Sequence, residues 1–332
     1  MKLREEIKKI EDLIIGWRRD FHQNPELSFK EHRTGKIISE ELESMGLSPK
    51  INVGKTGVTA DLKFGDGKKI GLRADMDALP IQETTNLKFK SKNDGVMHAC
   101  GHDGHMAILL GVAKALTQNG KKFNGTIRFI FQPAEEGLGG ARYMIKDGCL
   151  EGLDEIYGLH LWNYQPLGEV GVQDGPVMAA ADMFDIKIKG VGGHGAAPQG
   201  TVDTIIVAAH LTQAFQTIIS RNTNPLDNTV ITIGKIKGGN NFNVIADEVN
   251  LAGTTRAYTE ENRNLIKSRM EEIIHGTAST FGANITLNYR DGYPPTINHS
   301  KPTENILNAS RKVVGKKAGD LYLSMGGEDF AY

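Results

Sequence analysis

Little in this chain points to an oxidised, membrane-bound or nucleic-acid-bound protein. It has two cysteines, Cys100 and Cys149, in 332 residues, too few for a disulfide framework. No apolar run reaches transmembrane length. The formal net charge is -1, so there is no electrostatic case for nucleic acid or an anionic membrane as partner. Residues 1–14 are charged and helical in pattern and lack the apolar core and cleavage site of a secretory leader, which makes the cytoplasm the expected location. Low-complexity tracts and internal repeats are absent. What is present is the composition of a soluble globular protein, 39% hydrophobic and 24% charged, at a length that suggests two domains.

One stretch concentrates the chemistry: Met97-His-Ala-Cys-Gly-His-Asp-Gly-His105. Thiolate and imidazole are ligands that first-row divalent metals prefer, and Gly101 lets the backbone turn so that Cys100 and His102 converge. The other reading of this stretch alone is a His-rich loop opening a helix.

Before it, the apolar spacing of Ile7, Ile10, Leu13, Ile14 and Trp17 predicts a helix, broken at Asn24-Pro25. A second helix is predicted over 28–45, capped by Gly46. His22 and Glu26 lie in the break, where a structural role is favoured. Strands are predicted at 58–64, 70–72, 126–131 and 155–161, and helices at 103–118, with Asp103 as N-cap, and at 140–147. This is an α/β pattern, and such sheets bind ligands outside the carboxyl ends of their strands. Asp75 and Asp77 follow one strand, Glu135 and Glu136 a second, and His160 ends a third, while Cys100 and His102 precede a helix.

From about residue 181 the order becomes β-α-β-β-α-β: strands at 183–190, 229–235, 244–258 and 285–289, helices at 202–220 and 260–281. That order is ferredoxin-like. The tail, with a helix over 303–314, is read as returning to the first domain. The expected architecture is therefore an α/β metal-binding domain, 1–180 plus 296–332, with an inserted ferredoxin-like domain, 181–295.

Cys100, His102, Glu136 and His160 offer a thiolate, a carboxylate and two imidazoles. Dispersed ligands that include a carboxylate suit a catalytic site better than a closed structural one. In the pair Glu135-Glu136, one glutamate can bind metal while the other takes a proton from water. The other reading of that pair is an acidic surface loop.

Five segments carry a family resemblance: Arg73-Ala-Asp-Met-Asp-Ala-Leu-Pro80, the stretch at 97–105, Gln132-Pro-Ala-Glu-Glu-Gly137, Gly158-Leu-His-Leu-Trp162 and Gly192-Gly-His-Gly-Ala-Ala-Pro198. In that order they resemble the signatures of the two-metal aminoacylase and carboxypeptidase family. The nearest branch is the amidohydrolases similar to hippurate hydrolase and indole-acetyl-amino-acid hydrolase. The resemblance implies a metal-dependent amidohydrolase that cleaves N-acyl amino acids to a carboxylic acid and a free amino acid. It also implies a lid domain through which the chain forms a homodimer or higher homo-oligomer.

By motif position, Cys100 would bridge two divalent ions, His102 and His160 would hold one, and Glu136 the other. Glu135 would be the general base. Zinc, manganese, cobalt and nickel all suit such mixed S, N and O ligands. Asp75 and Asp77 occupy a motif that carries a metal-binding histidine in other branches; here they, with Asp103, are expected to orient ligands. His194 would stabilise the oxyanion, against the reading of an exposed loop histidine. Asn243 and Arg256 match substrate-binding positions, Arg256 gripping a carboxylate, against the reading of a salt bridge at a strand end.

Two departures stand out. Gln199 and Asp203-Thr204 replace a histidine and an Asp-Pro pair of many relatives, and the chain given ends at Tyr332, where relatives continue to one more metal-binding histidine. The expectation for this chain is thus one firmly bound ion and a second weakly held or lost. Alternatives that stay open are a metallo-dipeptidase or carboxypeptidase on the same scaffold, and an inactive metal-binding form.

Overall fold

The computed structural model describes residues 2–118 and 124–332. The chain divides into two compact units, residues 1–166 with Tyr332, and residues 167–331.

The first unit begins with three helices, α1 (Lys2–Lys8), α2 (Glu11–Gln23) and α3 (His32–Ser44). The predicted first helix is thus split: the Lys9 and Ile10 amides donate to carbonyls three residues back, closing α1 before α2 starts. Gly46, at φ +81°, ends α3 as expected, its N–H donating to Glu43. Five strands follow: β1 (Lys50–Val53), β2 (Gly57–Lys63), β3 (Lys69–Asp75), β4 (Thr126–Gln132) and β5 (Glu155–Gly158). Helix α4 (His102–Gln118) lies between β3 and β4, and α5 (Gly140–Lys146) between β4 and β5. The sheet order is β1-β2-β4-β3-β5. β3 lies between β4 and β5 and runs parallel to both, while β2 is antiparallel to both β1 and β4.

β4 explains why this sheet is covered on both faces. Alternate strand residues point to opposite sides. Phe129 and Phe131 meet Phe21, Ile38, Leu42, Met106 and Leu110 from α2, α3 and α4. Ile130 points the other way, to Met144 of α5 and to Cys149. A strand buried on both faces reads as a continuous apolar run, which is what residues 127–131 show apart from Arg128.

The second unit contains β6 (Val170–Gly171), β7 (Gly175–Met178), β8 (Ala180–Lys189), β9 (Gly193–His194), α6 (Thr204–Thr217), β10 (Thr229–Gly238), β11 (Val244–Ile245), β12 (Glu248–Ala257), α7 (Glu260–Phe281), β13 (Asn284–Tyr293), β14 (Thr296–Asn298), α8 (Ser300–Val314) and β15 (Ala318–Gly319). Its main sheet has the order β10-β12-β8-β13, antiparallel throughout. One face is apolar. Phe184, Ile186 and Ile188 of β8 pack on Val207, Leu211 and Phe215 of α6 and on Ile266, Met270 and Ile274 of α7. Two-residue and three-residue strands pair β7 with β14 and β6 with β15, joining the segments on either side of the main sheet. The single strand predicted over 244–258 is two: β11 pairs with β9, whereas β12 pairs with β8 and β10. Asp203, at a departure from the family pattern, caps α6 by accepting the Ile205 and Ile206 amides. Among the described residues no helix is long and apolar enough to cross a membrane.

Candidate metal centre

Three neighbouring strands of the first unit deliver the chemical residues at their carboxyl ends. β3 ends on Asp75, β4 runs into the loop bearing Glu135 and Glu136, and β5 stops at Gly158, two residues before His160. The strand predicted to continue to residue 161 leaves the sheet early. The Leu161 N–H donates to His105 Nε2 at 2.8 Å instead of to a neighbouring strand.

Asp77 is the organiser of the centre. Its buried carboxylate accepts the Glu135 N–H at 2.9 Å, the Glu136 N–H at 3.0 Å and the Ser28 hydroxyl at 2.6 Å. Its backbone carbonyl accepts His102 Nδ1–H at 2.8 Å. A carbonyl only accepts, so His102 carries its proton on Nδ1 and turns the lone pair of Nε2 inward. That Nε2 is fully buried and, among the described residues, has no hydrogen-bond partner. Glu136 Oε1 lies 3.9 Å away and is also buried, without a hydrogen-bond partner among the described residues. Two buried acceptors facing each other are unfavourable unless a cation, a proton or a metal ion, sits between them. This pair of atoms is the sign that the residues fit a metal ion.

The remaining donors close around the same point. Cys100 Sγ lies 3.4 Å from His160 Nε2, whose Nδ1 donates to the Leu161 carbonyl at 2.7 Å. Cys100, His102 and His160 bring donor atoms within 4.8 Å of one another, and so do His102, Glu135 and Glu136. Gly101, at φ +97°, makes the turn between Cys100 and His102. In the carboxylate loop, a Cβ at Gly140 would lie 1.7 Å from the Pro133 carbonyl oxygen, so only glycine fits there.

Electrostatics favour a cation. Burial disfavours charge on Asp75, but His102, Arg73 and His105 outweigh it and hold this carboxyl well below the usual range. Burial likewise opposes the His102 imidazolium, yet Asp75, Asp77 and Cys100 raise its pKa well above the ordinary value. The same carboxylates that favour a proton on His102 favour a divalent metal there, which binds by displacing that proton. Burial pushes up the Glu136 carboxyl, against the pull of His102, and the Cys100 thiol, against the same histidine.

The residues expected to orient ligands divide. Asp77 does so directly, through His102. Asp75 does so through His105, the last residue of the 97–105 stretch: Asp75 Oδ1 accepts His105 Nδ1–H at 2.6 Å, and Arg73 donates to Oδ2 at 2.7 Å. His105 then holds the Leu161 amide beside His160. The spacing from His102 to His105, one helical turn, was the available signal. Asp103 is not the N-cap of α4; Gly101 provides the first helical carbonyl, and Asp103 sits inside the first turn. Its carboxylate accepts from His22 Nδ1 at 2.8 Å and Arg18 Nε at 3.1 Å, tying α4 to α2. Glu26 accepts the Arg33 and Thr34 amides at the start of α3, a structural task. His98 is buried, with neither ring nitrogen hydrogen-bonded among the described residues, and burial pushes its pKa down to about 4.

In the second unit, His194 is exposed on β9, its Nδ1 accepting the Ala196 N–H at 3.0 Å. Asn243 accepts the Gly195 N–H on its carbonyl at 2.8 Å, so the β9–β11 pair sets His194 beside Asn243. Arg256 is half-buried on β12, opposite Ala181 and Val230. Its Nη1 donates to the Thr254 hydroxyl at 2.7 Å and the Thr255 carbonyl at 3.2 Å. Among the described residues no carboxylate lies within ion-pair distance of it, so the salt-bridge reading does not hold.

The family model for Peptidase family M20/M25/M40 matches residues 71–332. An N-acetyl-L-cysteine deacetylase of Bacillus subtilis is 43% identical over 327 residues, covering 98% of this chain and 78% of the relative. The IAA-amino acid hydrolase ILR1-like 4 of Arabidopsis thaliana is 41% identical over 326 residues, covering 97% of this chain and 74% of the relative. The crystal structure of a Bacillus subtilis dinuclear metal binding peptidase from the M20 family, the YXEP protein, matches with a TM-score of 0.85 at 38% identity, over 98% of this chain and 85% of that one. With a family match over most of its length and relatives above 40% identity along nearly all of it, this chain belongs to peptidase family M20/M25/M40.

Proposed function

We propose that this chain is a metal-dependent amidohydrolase that cleaves N-acyl amino acids to a carboxylic acid and a free amino acid. The observation that carries the reading is the orphaned pair, His102 Nε2 and Glu136 Oε1, within a ring of Cys100, His160 and Glu135. Cys100, His102, Glu136 and His160 would hold two divalent ions, of zinc, manganese, cobalt or nickel. Such ions polarise the amide carbonyl and bring the pKa of water to about 7.

The chain's own residues do the rest. The Glu135 carboxylate takes the proton of the attacking water and returns it to the nitrogen of the leaving amine. Asp77 fixes the backbone of that glutamate, and Asp75 with His105 fixes the segment bearing His160. His194 would donate to the oxygen that gains charge during attack. Arg256 would grip the free carboxylate of the amino-acid half, aided by Asn243. The order β10-β12-β8-β13 supports reading residues 181–295 as a ferredoxin-like lid, which we infer also forms a homodimer. Two unpaired cysteines suit a reducing compartment, and we place the enzyme in the cytoplasm.

The test is turnover of N-acetyl and N-benzoyl amino acids against dipeptides on metal-loaded protein. Dipeptides turned over in preference would replace this reading with the peptidase one. Cys100→Ala is expected to lose metal on purification, because no other thiolate is at hand to bridge. Two ions per chain by elemental analysis of that variant would contradict the bridging role. Arg256→Ala is expected to raise KM for an N-acyl amino acid by roughly 10–10²-fold, the worth of a charge-assisted hydrogen bond, and to leave KM for its carboxamide unchanged. Equal losses on both substrates would make Arg256 structural.

A further inference from the structure

One buried carboxylate outside the metal centre reaches the same catalytic loop. Glu31 immediately precedes α3 and is fully buried. Its Oε1 accepts the N–H of Ala134, 103 residues away, at 2.9 Å, and its Oε2 accepts the Thr56 hydroxyl at 2.6 Å. Among the described residues no basic side chain pairs with it. A buried carboxylate without a cation is unfavourable, so what it holds matters.

It holds Ala134 at φ +54°, a left-handed conformation that residues with a Cβ rarely adopt. The Ala134 carbonyl is also tied, accepting the Gly140 N–H at 2.9 Å. The next two amides, of Glu135 and Glu136, go to Asp77. Three successive amides therefore end on two buried carboxylates brought from outside the loop. Asp77 fixes the peptides of the two glutamates, and Glu31 fixes the turn before them. Without Glu31, the buried Ala134 N–H loses its acceptor and the residue can relax out of the left-handed region. Rotation there swings the Cα–Cβ bond of Glu135.

We propose that Glu31 is a positioning residue for hydrolysis: by holding Ala134 in its left-handed conformation it sets where the Glu135 carboxylate points. The proposal rests on Glu135 being the general base. Its test is a double-mutant cycle on the metal-loaded protein, with the N-acyl amino acid that the wild type turns over fastest. Kcat, KM, metal content and thermal melting are measured for Glu31→Ala, Glu135→Gln and the double variant.

Glu31→Ala is expected to lower kcat by about 10–10²-fold through misplacement of the base, with KM and metal content unchanged. In the Glu135→Gln background it is expected to have no further effect, since no base remains to misplace. Glu31→Gln is expected to keep most of kcat, because its amide oxygen can accept the Ala134 N–H while its NH2 donates to Thr56. Should Glu31→Ala not fold, Thr56→Val loosens the same carboxylate and is expected to give a smaller loss of kcat, again absent in the Glu135→Gln background. The same factor lost in both backgrounds, metal lost in step with kcat, or unchanged kcat in Glu31→Ala would overturn the proposal alone. Wild-type kcat in Glu135→Gln would overturn the reading of the base and the proposal with it.

Discussion

Glu135→Gln is expected to lower kcat by about 10²–10⁴-fold while leaving the metal content unchanged. The substitution is nearly isosteric, and the interaction that fixes this residue's backbone, its N–H to Asp77, does not involve the side chain. What changes is the capacity to take a proton, worth about 3–5 kcal/mol of barrier at that rate loss. Glu136→Gln tests the neighbour. Its Oε1 faces His102 Nε2 at 3.9 Å, so loss of the charge is expected to release metal. Elemental analysis beside kcat for both variants separates the roles. Metal loss in Glu135→Gln with retention in Glu136→Gln would mean the two assignments must be exchanged.

The residues alone show these adjacent glutamates only as a pair following an apolar strand; which one binds metal and which takes the proton came from the family resemblance. Which of them faces His102 depends on the turn at Ala134, and nothing about an alanine announces a positive φ. Its acceptor, Glu31, lies 103 residues earlier in a segment that reads as the entry to a helix. The placement of the ligands was more accessible. Apolar runs fixed β3 and β4, and ligands at the carboxyl ends of parallel strands follow from the architecture. β5 was harder. Leu159 and Leu161 alternate like strand residues, but they are 48% and 46% exposed, and the chain there is held by His105 rather than by a strand. A pattern of side chains cannot reveal that a histidine replaces a ladder partner. Asp103 misled for a related reason. Aspartate before an apolar helix is the ordinary sign of an N-cap, yet here Gly101 supplies the first carbonyl and Asp103 is engaged by His22 and Arg18 of α2, about 80 residues away.

Asp182→Ala is expected to destabilise the second unit by about 3–5 kcal/mol, the penalty for stripping one partner from a buried ion pair. Asp182 lies on β8 at 1% exposure. Its carboxylate receives Arg263 of α7 in bidentate fashion, Nη2 at 2.7 Å and Nε at 2.9 Å. It also accepts the Gly292 N–H at 2.7 Å and the Tyr289 hydroxyl at 2.9 Å, both from β13. One side chain thus joins a helix to two adjacent strands, and alanine leaves all four donors without it. The Arg263 side chain is only 12% exposed, and the carboxylate it keeps, Glu260 at 3.0 Å, is itself 52% exposed, so neither water nor that partner replaces the buried Asp182. Asp182 faces Thr255 across the β8–β12 ladder, one position from Arg256, so the damage is expected at the strand that carries the proposed carboxylate grip. Tryptophan fluorescence is the wrong probe, because Trp17 and Trp162 both belong to the first unit. Hydrogen exchange reads the region directly. Amides of β8, β13 and α7 that open with their unit are expected to exchange roughly 10²–10⁴-fold faster, the kinetic equivalent of that loss. Wild-type protection of those amides in Asp182→Ala would mean that the apolar face of Phe184, Ile186 and Ile188 holds the sheet to its helices without the ion pair.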